Sequence, residues 1–439
     1  MVRTRGGSLA WAGPGGPLDR SRASPEGERQ IPIPSRSDPY AERITLAREK
    51  LAAGARDEAE RILAEALREG SIAAADALDV LFVGDPARSG LLLKVRRQAV
   101  ELQPGHMGRL EALREAAKLD HNHNYVRAID HVLRAFDAQR GPLVPPPLSA
   151  QNVQPGMLPL LTRHSLEASG EVFQHVWEGA PLLFAKSPQT YGMATLERIV
   201  PGPSTTLSRL FEASLRLLDV PRFSLLHRRA TGPLQLTVAL VAPPAAILVG
   251  DAKEDSRDVR WMLGQAIASV LPQNLLPSGL SQLDSRMLWE VLATAFGPEG
   301  ANVEMRARPQ PAHARLAENL WQTLPPKSQR RLKELLVNIA QTPLELALER
   351  ARQSGRRIGM FLTGDFAHAA RALVAEYPLV DAADLERPGG LERLCAELPA
   401  LADLFRLALR PEYADARWHV PPPMSQRFPF NNPGGLIPV

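Results

Sequence analysis

The chain has 439 residues, enough for roughly two or three domains with their own hydrophobic cores. Its 52 basic and 48 acidic side chains leave a formal charge of +4, too small an excess to indicate a nucleic-acid partner by itself. The single cysteine, Cys395, excludes an internal disulfide, and no apolar run is long enough to cross a membrane. We therefore expect a cytoplasmic protein without a membrane segment.

Both ends of the chain have compositions that favour disorder. Residues 1–38 are rich in Gly, Pro, Ser and Arg and contain few large apolar side chains, so they bury too little surface to offset the entropy of folding. Residues 421–439 are rich in Pro, Asn and Gly. We expect the first tail to be disordered, and the second to be disordered or to wrap the surface.

Residues 39–140 show the spacing of paired amphipathic helices. Residues 41–53 and 57–67 each place apolar side chains along one face, and Gly54 lies at the turn between them. Together with Pro104, which ends a later helix, this pattern of small residues and prolines resembles tetratricopeptide repeats. The resemblance implies a short α-solenoid-like array of helical hairpins, whose concave face holds a partner peptide or helix.

A proline-rich segment, residues 141–158, follows the helical array. Proline runs are stiff spacers and rarely lie inside a core, so we place a domain boundary there. Residues 159–420 form the second predicted domain. Within it a helix is predicted over residues 206–218, and nearly all of the later chain is predicted to be helical, including one helix over residues 391–409.

The stretch over residues 234–271 is the most apolar part of the second domain. It contains two short apolar runs on either side of a Pro-Pro pair, which predict two strands, and a further strand is predicted over residues 222–227. Residues 258–271 then have the apolar period of a buried helix, which carries no reactive side chain inward. The predicted fold class is therefore mainly α with a small β-sheet, that is, α+β.

The order of these elements resembles that of a family of zinc peptidases. The elements are a helix, the sequence Leu-Asp-Val-Pro-Arg-Phe over residues 218–223, an apolar strand pair, an acidic turn, an amphipathic helix and a later Arg357-Ile-Gly359. This order is similar to that of the gluzincin metallopeptidases of the CAAX-prenyl-protease type, which some bacteria fuse to tetratricopeptide repeats. The similarity covers roughly residues 207–373, and it implies a zincin-like helical domain with a short sheet.

The zinc-binding residues of that family are replaced in this chain. In the family the buried helix carries His-Glu-x-x-His, in which two imidazoles bind zinc and the glutamate activates water. The matching positions are Gln265, Ala266 and Ser269, and the family's third ligand and a following aspartate correspond to Arg352 and Arg356. These side chains neither bind zinc nor act as a general base. The resemblance therefore implies a metal-free pseudoenzyme without a cofactor.

A peptide-binding strand is a second feature that the resemblance implies. In a working protease of this type, the edge strand of the sheet pairs with the backbone of the substrate. The corresponding residues in this chain are Leu236, Thr237, Val238, Ala239, Leu240 and Val241. We expect this segment to bind an extended peptide without cleaving it.

Several other polar residues suggest alternative sites. His368 and Glu412 are candidates for an unrecognised hydrolase site. A simpler interpretation is that Asp365 caps a helix ahead of a surface histidine and that Glu412 forms a helix-end ion pair. A metal cluster formed by His121, His123 and His131 is a further candidate. The first two lie in an Asn-rich turn, where hydrogen bonds to the backbone explain them as well.

The arginine-rich helices over residues 327–357 suggest a phosphate or nucleic-acid surface. Interleaved glutamates favour the simpler interpretation of a solvated helix face. The predicted function is therefore a non-catalytic protein–protein interaction or scaffold role, with a protein or peptide partner. The alternatives are a residual hydrolase, metal-dependent or not, and nucleic-acid binding through these helices.

Overall fold

The computed structural model describes residues 39–137, 139, 141, 143–146, 156–298, 310–339 and 342–419. Both predicted tails, residues 1–38 and 421–439, lie outside this part of the chain. The described residues confirm the fold class, because they are mainly helical and contain one small four-stranded sheet. The chain divides into two compact units, residues 1–85 and 86–439. No helix in the described ranges is both long and apolar enough to cross a membrane.

The first unit contains three helices, α1 (Ala41–Ala52), α2 (Arg56–Arg68) and α3 (Ile72–Phe82). Gly54, in the turn between α1 and α2, has a φ of +77°, a conformation that glycine adopts without steric cost. Small and branched side chains meet between the helices, and those that are completely buried include Ile44, Ala47, Ala59, Leu63 and Ala66. The predicted helix pair and its glycine turn are confirmed, whereas membership of the tetratricopeptide class stays a prediction.

The second unit contains the remaining helices and the sheet. The helices are α4 (Ser89–Leu102), α5 (Met107–Leu119), α6 (His123–Arg134), α7 (Met157–Thr162), α8 (Ala168–Gly179), α9 (Thr206–Leu218), α10 (Arg257–Ser269), α11 (Pro272–Gly279), α12 (Gln282–Phe296), α13 (Pro311–Thr323), α14 (Pro326–Ile339), α15 (Leu344–Thr363), α16 (Phe366–Val374), α17 (Gly390–Glu397), α18 (Pro399–Ala408) and α19 (Pro411–Trp418). Leu110 of α5 and Ile129 of α6 lie in the same hydrophobic core as Phe211 of α9 and Leu263 of α10.

The single helix predicted over residues 391–409 is wrong, because this segment forms α17 and α18. Pro399 has no N–H to donate, and its ring excludes the preceding turn of a continuous helix. Leu398 accordingly adopts extended backbone angles, with φ −117° and ψ 93°, and Pro399 occupies the first position of α18, where proline is tolerated.

Part of the predicted linker over residues 141–158 is described. The carbonyl of Leu143 lies 2.9 Å from His131 Nδ1, and the carbonyl of Pro146 accepts a hydrogen bond from Arg417 at 2.5 Å. These residues are therefore attached to α6 and α19. The predicted boundaries of the repeat domain over residues 39–140 and of the gluzincin-like domain over residues 159–420 stay predictions.

The sheet has the strand order β1-β2-β4-β3. Its strands are β1 (Glu197–Ile199), β2 (Ser224–Arg228), β3 (Gln235–Ala239) and β4 (Ala245–Val249). The two central strands, β2 and β4, run parallel, and each outer strand is antiparallel to its neighbour. Leu225 and Leu248 point into the large core that includes α9 and α10, while Leu226 and Ile247 point to the opposite face.

Candidate functional site

The predicted site lies on α10 and α15, which pack closely against each other. A Cβ atom added to Gly264 would lie 2.4 Å from Gly359 N, so the two backbones are in direct contact there. Gly355 lies one helical turn before Gly359 on α15 and is next to Gln265, since a Cβ added to Gly355 would be 3.4 Å from Gln265 Cα. The structure therefore brings the two helices that carry the predicted site into contact.

The three positions on α10 take part in packing. Ala266 is completely buried in the large core, and Gln265 is partly buried. Ser269 is 6% exposed, and its hydroxyl donates to the carbonyl of Ala266 at 2.9 Å. The serine hydroxyl is thus bonded within its own helix. This arrangement supplies neither a proton acceptor of carboxylate strength nor an imidazole at these positions.

Arg352 and Arg356 differ in their surroundings. The Arg352 side chain is 62% exposed and lies 3.4 Å from Glu349. Arg356 is buried and forms ion pairs with Glu349 and, at 2.6 Å, with Glu376. Burial opposes the charge of Arg356, but hydrogen bonds and Coulomb attraction from Glu376 and Glu349 outweigh it and raise its pKa. Within the described ranges, no hydrogen bond or ion pair joins Arg352 to Gln265 or Ser269.

Arg357 belongs to a buried polar cluster that the sequence did not predict. Its side chain is completely buried, and its Nη1 lies 3.3 Å from Asp403 Oδ1 on α18. Burial lowers the pKa of Arg357 to about 10, although Asp403 opposes this change. Gln353 donates to the other Asp403 oxygen at 2.7 Å, and His164 Nε2 lies 3.0 Å from Oδ1. Despite burial, these partners hold the pKa of Asp403 far below its usual range.

The candidate peptide-binding strand lies at an edge of the sheet. β3 pairs with β4 on one side only, so its other side has no neighbouring strand among the described residues. Gln235 and Thr237 are exposed, whereas Val238 and the residues after it are buried. Unpaired backbone groups on an edge strand are a template for pairing with an added strand. The geometry therefore allows an extended peptide to pair with β3.

Only the first half of the candidate segment is open. The N–H of Leu240 donates to Tyr191 Oη at 3.2 Å, and the carbonyl of Leu240 accepts from Lys186 N at 2.7 Å. Because the backbone groups of alternate residues point to the same side of a strand, Leu236 directs its N–H and C=O to that same outer side. The backbone of Leu240 is thus occupied by the protein's own chain, while the outward backbone groups of Leu236 have no hydrogen-bond partner among the described residues.

Two side chains at the alternative sites, Asp365 and Asn122, cap helices in the described part of the chain. Asp365 caps α16, since its Oδ1 accepts from the N–H of His368 at 3.0 Å, which confirms the predicted capping role. Asn122 caps α6 by accepting from Tyr125 N at 3.1 Å. Glu412 is exposed in the first turn of α19. No group of three or more His, Cys, Asp or Glu side chains suited to a metal ion occurs in the described part of the chain.

Several arginines of residues 327–357 are paired with carboxylates. Arg331 lies 2.6 Å from Glu171, and Arg350 lies 2.6 Å from Glu167. Lys333 lies over the ring of Trp321, 5.0 Å from its centroid. Phosphate groups would have to compete with these carboxylates for Arg331 and Arg350, and nucleic-acid binding through these helices stays a prediction.

His131 links three parts of the second unit. Its Nδ1 lies 2.9 Å from the carbonyl of Leu143, and its Nε2 accepts a hydrogen bond from the N–H of Phe366 at 3.0 Å. A carbonyl only accepts, so Nδ1 carries the proton and the ring is neutral. Burial, together with Arg417 and Arg257, lowers the pKa of His131, although Asp365 and the Leu143 carbonyl oppose this change.

Acidification is expected to weaken the fold through His131. The folded-state pKa lies below the ordinary value of 6.5, so the unfolded chain binds more protons over the interval between the two values. The contribution of His131 is therefore complete above pH 6.5 and is lost as the pH falls through that interval, with a slope of at most about 1.4 kcal/mol per pH unit. Urea unfolding at several pH values measures it. His131→Gln should remove this part of the pH dependence, and an unchanged dependence would contradict the assignment.

No protein-family model, curated protein or solved structure matches this chain. The residues and their geometry are therefore the basis for the functional proposal.

Proposed function

We propose that this protein is a non-catalytic binding or scaffold protein that holds an extended segment of a partner protein along β3. The supporting observation is the position of β3 at the edge of the sheet, with the backbone groups of Leu236 directed away from β4. Main-chain hydrogen bonds to such an edge supply affinity, and pockets beside it supply specificity. Burial of Val238 and occupation of Leu240 limit the contact to a short segment centred on Leu236 and Thr237.

The proposal includes the loss of a metal site. Ala266 and Ser269 lie in a packed core at the positions where a gluzincin would carry its general base and second histidine, and Arg352 lies on the surface beside Glu349. Zinc measurement on the purified protein tests this part directly. Less than about a tenth of an equivalent is expected, whereas stoichiometric zinc would overturn the metal-free assignment.

The helical hairpins of the first unit supply a second proposed binding surface. Their packing through small residues is typical of arrays that bind peptides or helices on a concave face. The single cysteine, Cys395, is buried, which suits a reducing compartment, and the proposal places the protein in the cytoplasm.

A photocrosslinking experiment tests peptide pairing at β3. Benzoylphenylalanine is placed at Thr237, and at Arg198 on the opposite edge strand as the matched control, because both side chains are exposed. Each protein is presented with a random ten-residue peptide library, and adducts are identified by mass spectrometry. We expect adducts at residue 237 and few at residue 198. Equal yields at the two positions, or no adduct at residue 237, would count against the proposal.

Leu236→Pro then tests whether the backbone makes the contact. Proline removes the outward N–H of residue 236 and leaves the pairing with β4 in place, and prolines are tolerated on edge strands for this reason. Peptides found with the crosslinker at residue 237 should bind this variant about tenfold less tightly in a fluorescence anisotropy titration. Unchanged affinity would mean that the peptide does not add to the sheet.

A further inference from the structure

A cavity of about 190 Å³ lies where the two parallel strands of the sheet end. The carboxyl ends of β2 and β4 and the amino end of α9 converge there. The cavity lies towards β1, the edge strand opposite β3. Ligands of open α/β sheets bind outside the carboxyl ends of parallel strands. The cavity therefore has the placement of a small-ligand site, and it is independent of the proposed peptide contact.

The amino end of α9 directs backbone donors at this cavity. Thr205 caps the helix, and its hydroxyl oxygen accepts from the N–H of Ser208 at 3.1 Å. The N–H groups of Thr206 and Leu207 have no hydrogen-bond partner within the described ranges, and both residues line the cavity. Free N–H groups and the helix dipole together favour a negatively charged ligand.

His227 supplies a second, independent indication of a ligand. The residue is only 5% exposed and lines the cavity, and its Nε2 donates to the carbonyl of Gly250 at 2.9 Å. Because a carbonyl only accepts, the proton of the neutral ring is on Nε2, and Nδ1 presents a lone pair. No described residue bonds to Nδ1. Nδ1 is not among the enclosed atoms that lack a partner, so it is accessible from the cavity, where it can accept a hydrogen bond from a ligand hydroxyl.

The charged groups at the rim have a positive excess. Arg229 lies 3.5 Å from Glu197, so the positive charge of Arg229 offsets the negative charge of this carboxylate. Lys253 also lines the cavity and has no ion pair among the described residues. The cavity thus combines backbone donors, one cation without an ion pair among the described residues and one acceptor that faces the cavity.

We propose that this cavity binds a phosphoryl group that carries a hydroxyl, with inorganic phosphate as the simplest ligand. Its anionic oxygens accept from the N–H groups of Thr206 and Leu207 and from Lys253, and its hydroxyl donates to His227 Nδ1. Hydrogen phosphate retains a hydroxyl at neutral pH, whereas sulfate has none. The single acceptor therefore selects phosphate over sulfate.

Isothermal titration calorimetry on the full chain at low salt and pH 7 tests the proposal. Inorganic phosphate should bind with at least about tenfold higher affinity than sulfate. Glycerol 3-phosphate is titrated in parallel, and it should bind less tightly than inorganic phosphate, because its phosphoryl group is largely without a hydroxyl at pH 7. Equal or tighter binding would contradict the contact between a phosphoryl hydroxyl and His227. Absence of phosphate binding at millimolar concentration, or equal binding of sulfate, would overturn the assignment.

Variants locate the binding on the cavity. Lys253→Gln should weaken phosphate binding about tenfold. Arg228→Gln is the matched control, because Arg228 is an exposed arginine at the end of β2 that does not line the cavity. The affinity of this variant for phosphate should differ from the wild-type value by less than about twofold. Equal losses in the two variants would indicate general electrostatic attraction and would overturn the proposal.

Thr206→Pro removes one backbone donor without disturbing the helix. Residue 206 is the first residue of α9, where proline is tolerated, and Thr205 already has the extended angles φ −132° and ψ 167° that a following proline requires. Phosphate affinity should fall about fivefold to tenfold in this variant and remain near the wild-type value in Thr206→Ala. Wild-type affinity of the proline variant would exclude the helix terminus as a contact.

Discussion

Asp403→Asn is expected to destabilise the protein by about 3–5 kcal/mol, because it leaves the charge of a completely buried arginine without a counterion. Arg357 is 0% exposed, and Asp403 is the carboxylate that lies 3.3 Å from its Nη1. The asparagine side chain has nearly the same shape, so the loss reports charge and not volume. Urea unfolding followed by circular dichroism measures the difference in free energy of unfolding.

Two further variants test whether the loss of stability comes from the buried ion pair of Arg357 and Asp403. Asp415→Asn removes an exposed carboxylate that accepts a hydrogen bond from Asn124 at 3.2 Å, and it should change stability by less than about 0.5 kcal/mol. Arg357→Met combined with Asp403→Leu removes both buried charges and should recover more than half of the loss, because apolar replacements of buried ion pairs are often neutral. A loss below about 1 kcal/mol in Asp403→Asn would show that the carboxylate is not needed.

The cluster around Asp403 also shows where sequence reasoning reached its limit. In the sequence Arg357 belongs to the Arg357-Ile-Gly359 pattern of the family resemblance, and Asp403 lies within a segment predicted only as helical. Their contact joins α15 to α18, residues separated by 46 positions, and neither periodicity nor local composition reports such a pairing. A signal was nevertheless present: an aspartate among Ala, Leu and Phe on the apolar face of an amphipathic helix requires a buried partner.

Other elements were predictable because their causes are local. The helix start at Asp365 follows from a capping side chain and its own neighbouring N–H, and the turn at Gly54 follows from a glycine at positive φ. The strand pair on either side of Pro243 follows from short apolar runs with β-branched residues. Two features could not be predicted: occupation of Leu240 by Lys186 and Tyr191, and the cavity beside His227. Both depend on segments brought together only by tertiary folding.

Gly264→Ala is expected to destabilise the protein by about 1–3 kcal/mol, even though alanine is the better helix former by about 1 kcal/mol. A Cβ at this position would lie 2.4 Å from Gly359 N and 2.5 Å from its Cα, and backbone atoms cannot move aside as the end of a flexible side chain can. The helices α10 and α15 must therefore separate. Since α10 also packs on β3 and β4, the variant should weaken peptide binding at Leu236 as well.

Gly355→Ala is the matched control on the same helix pair. A Cβ there would lie 3.4 Å from Gln265 Cα and 3.7 Å from Ala268 Cβ, which are ordinary contacts, so this variant should be neutral or up to about 1 kcal/mol more stable. Chemical unfolding of both variants, with heat capacity or m-value as a check on two-state behaviour, measures the contrast. If both variants unfold at the same denaturant concentration, the backbones of α10 and α15 do not touch at Gly264. The contact that positions the sheet beside the helix pair would then have to lie elsewhere.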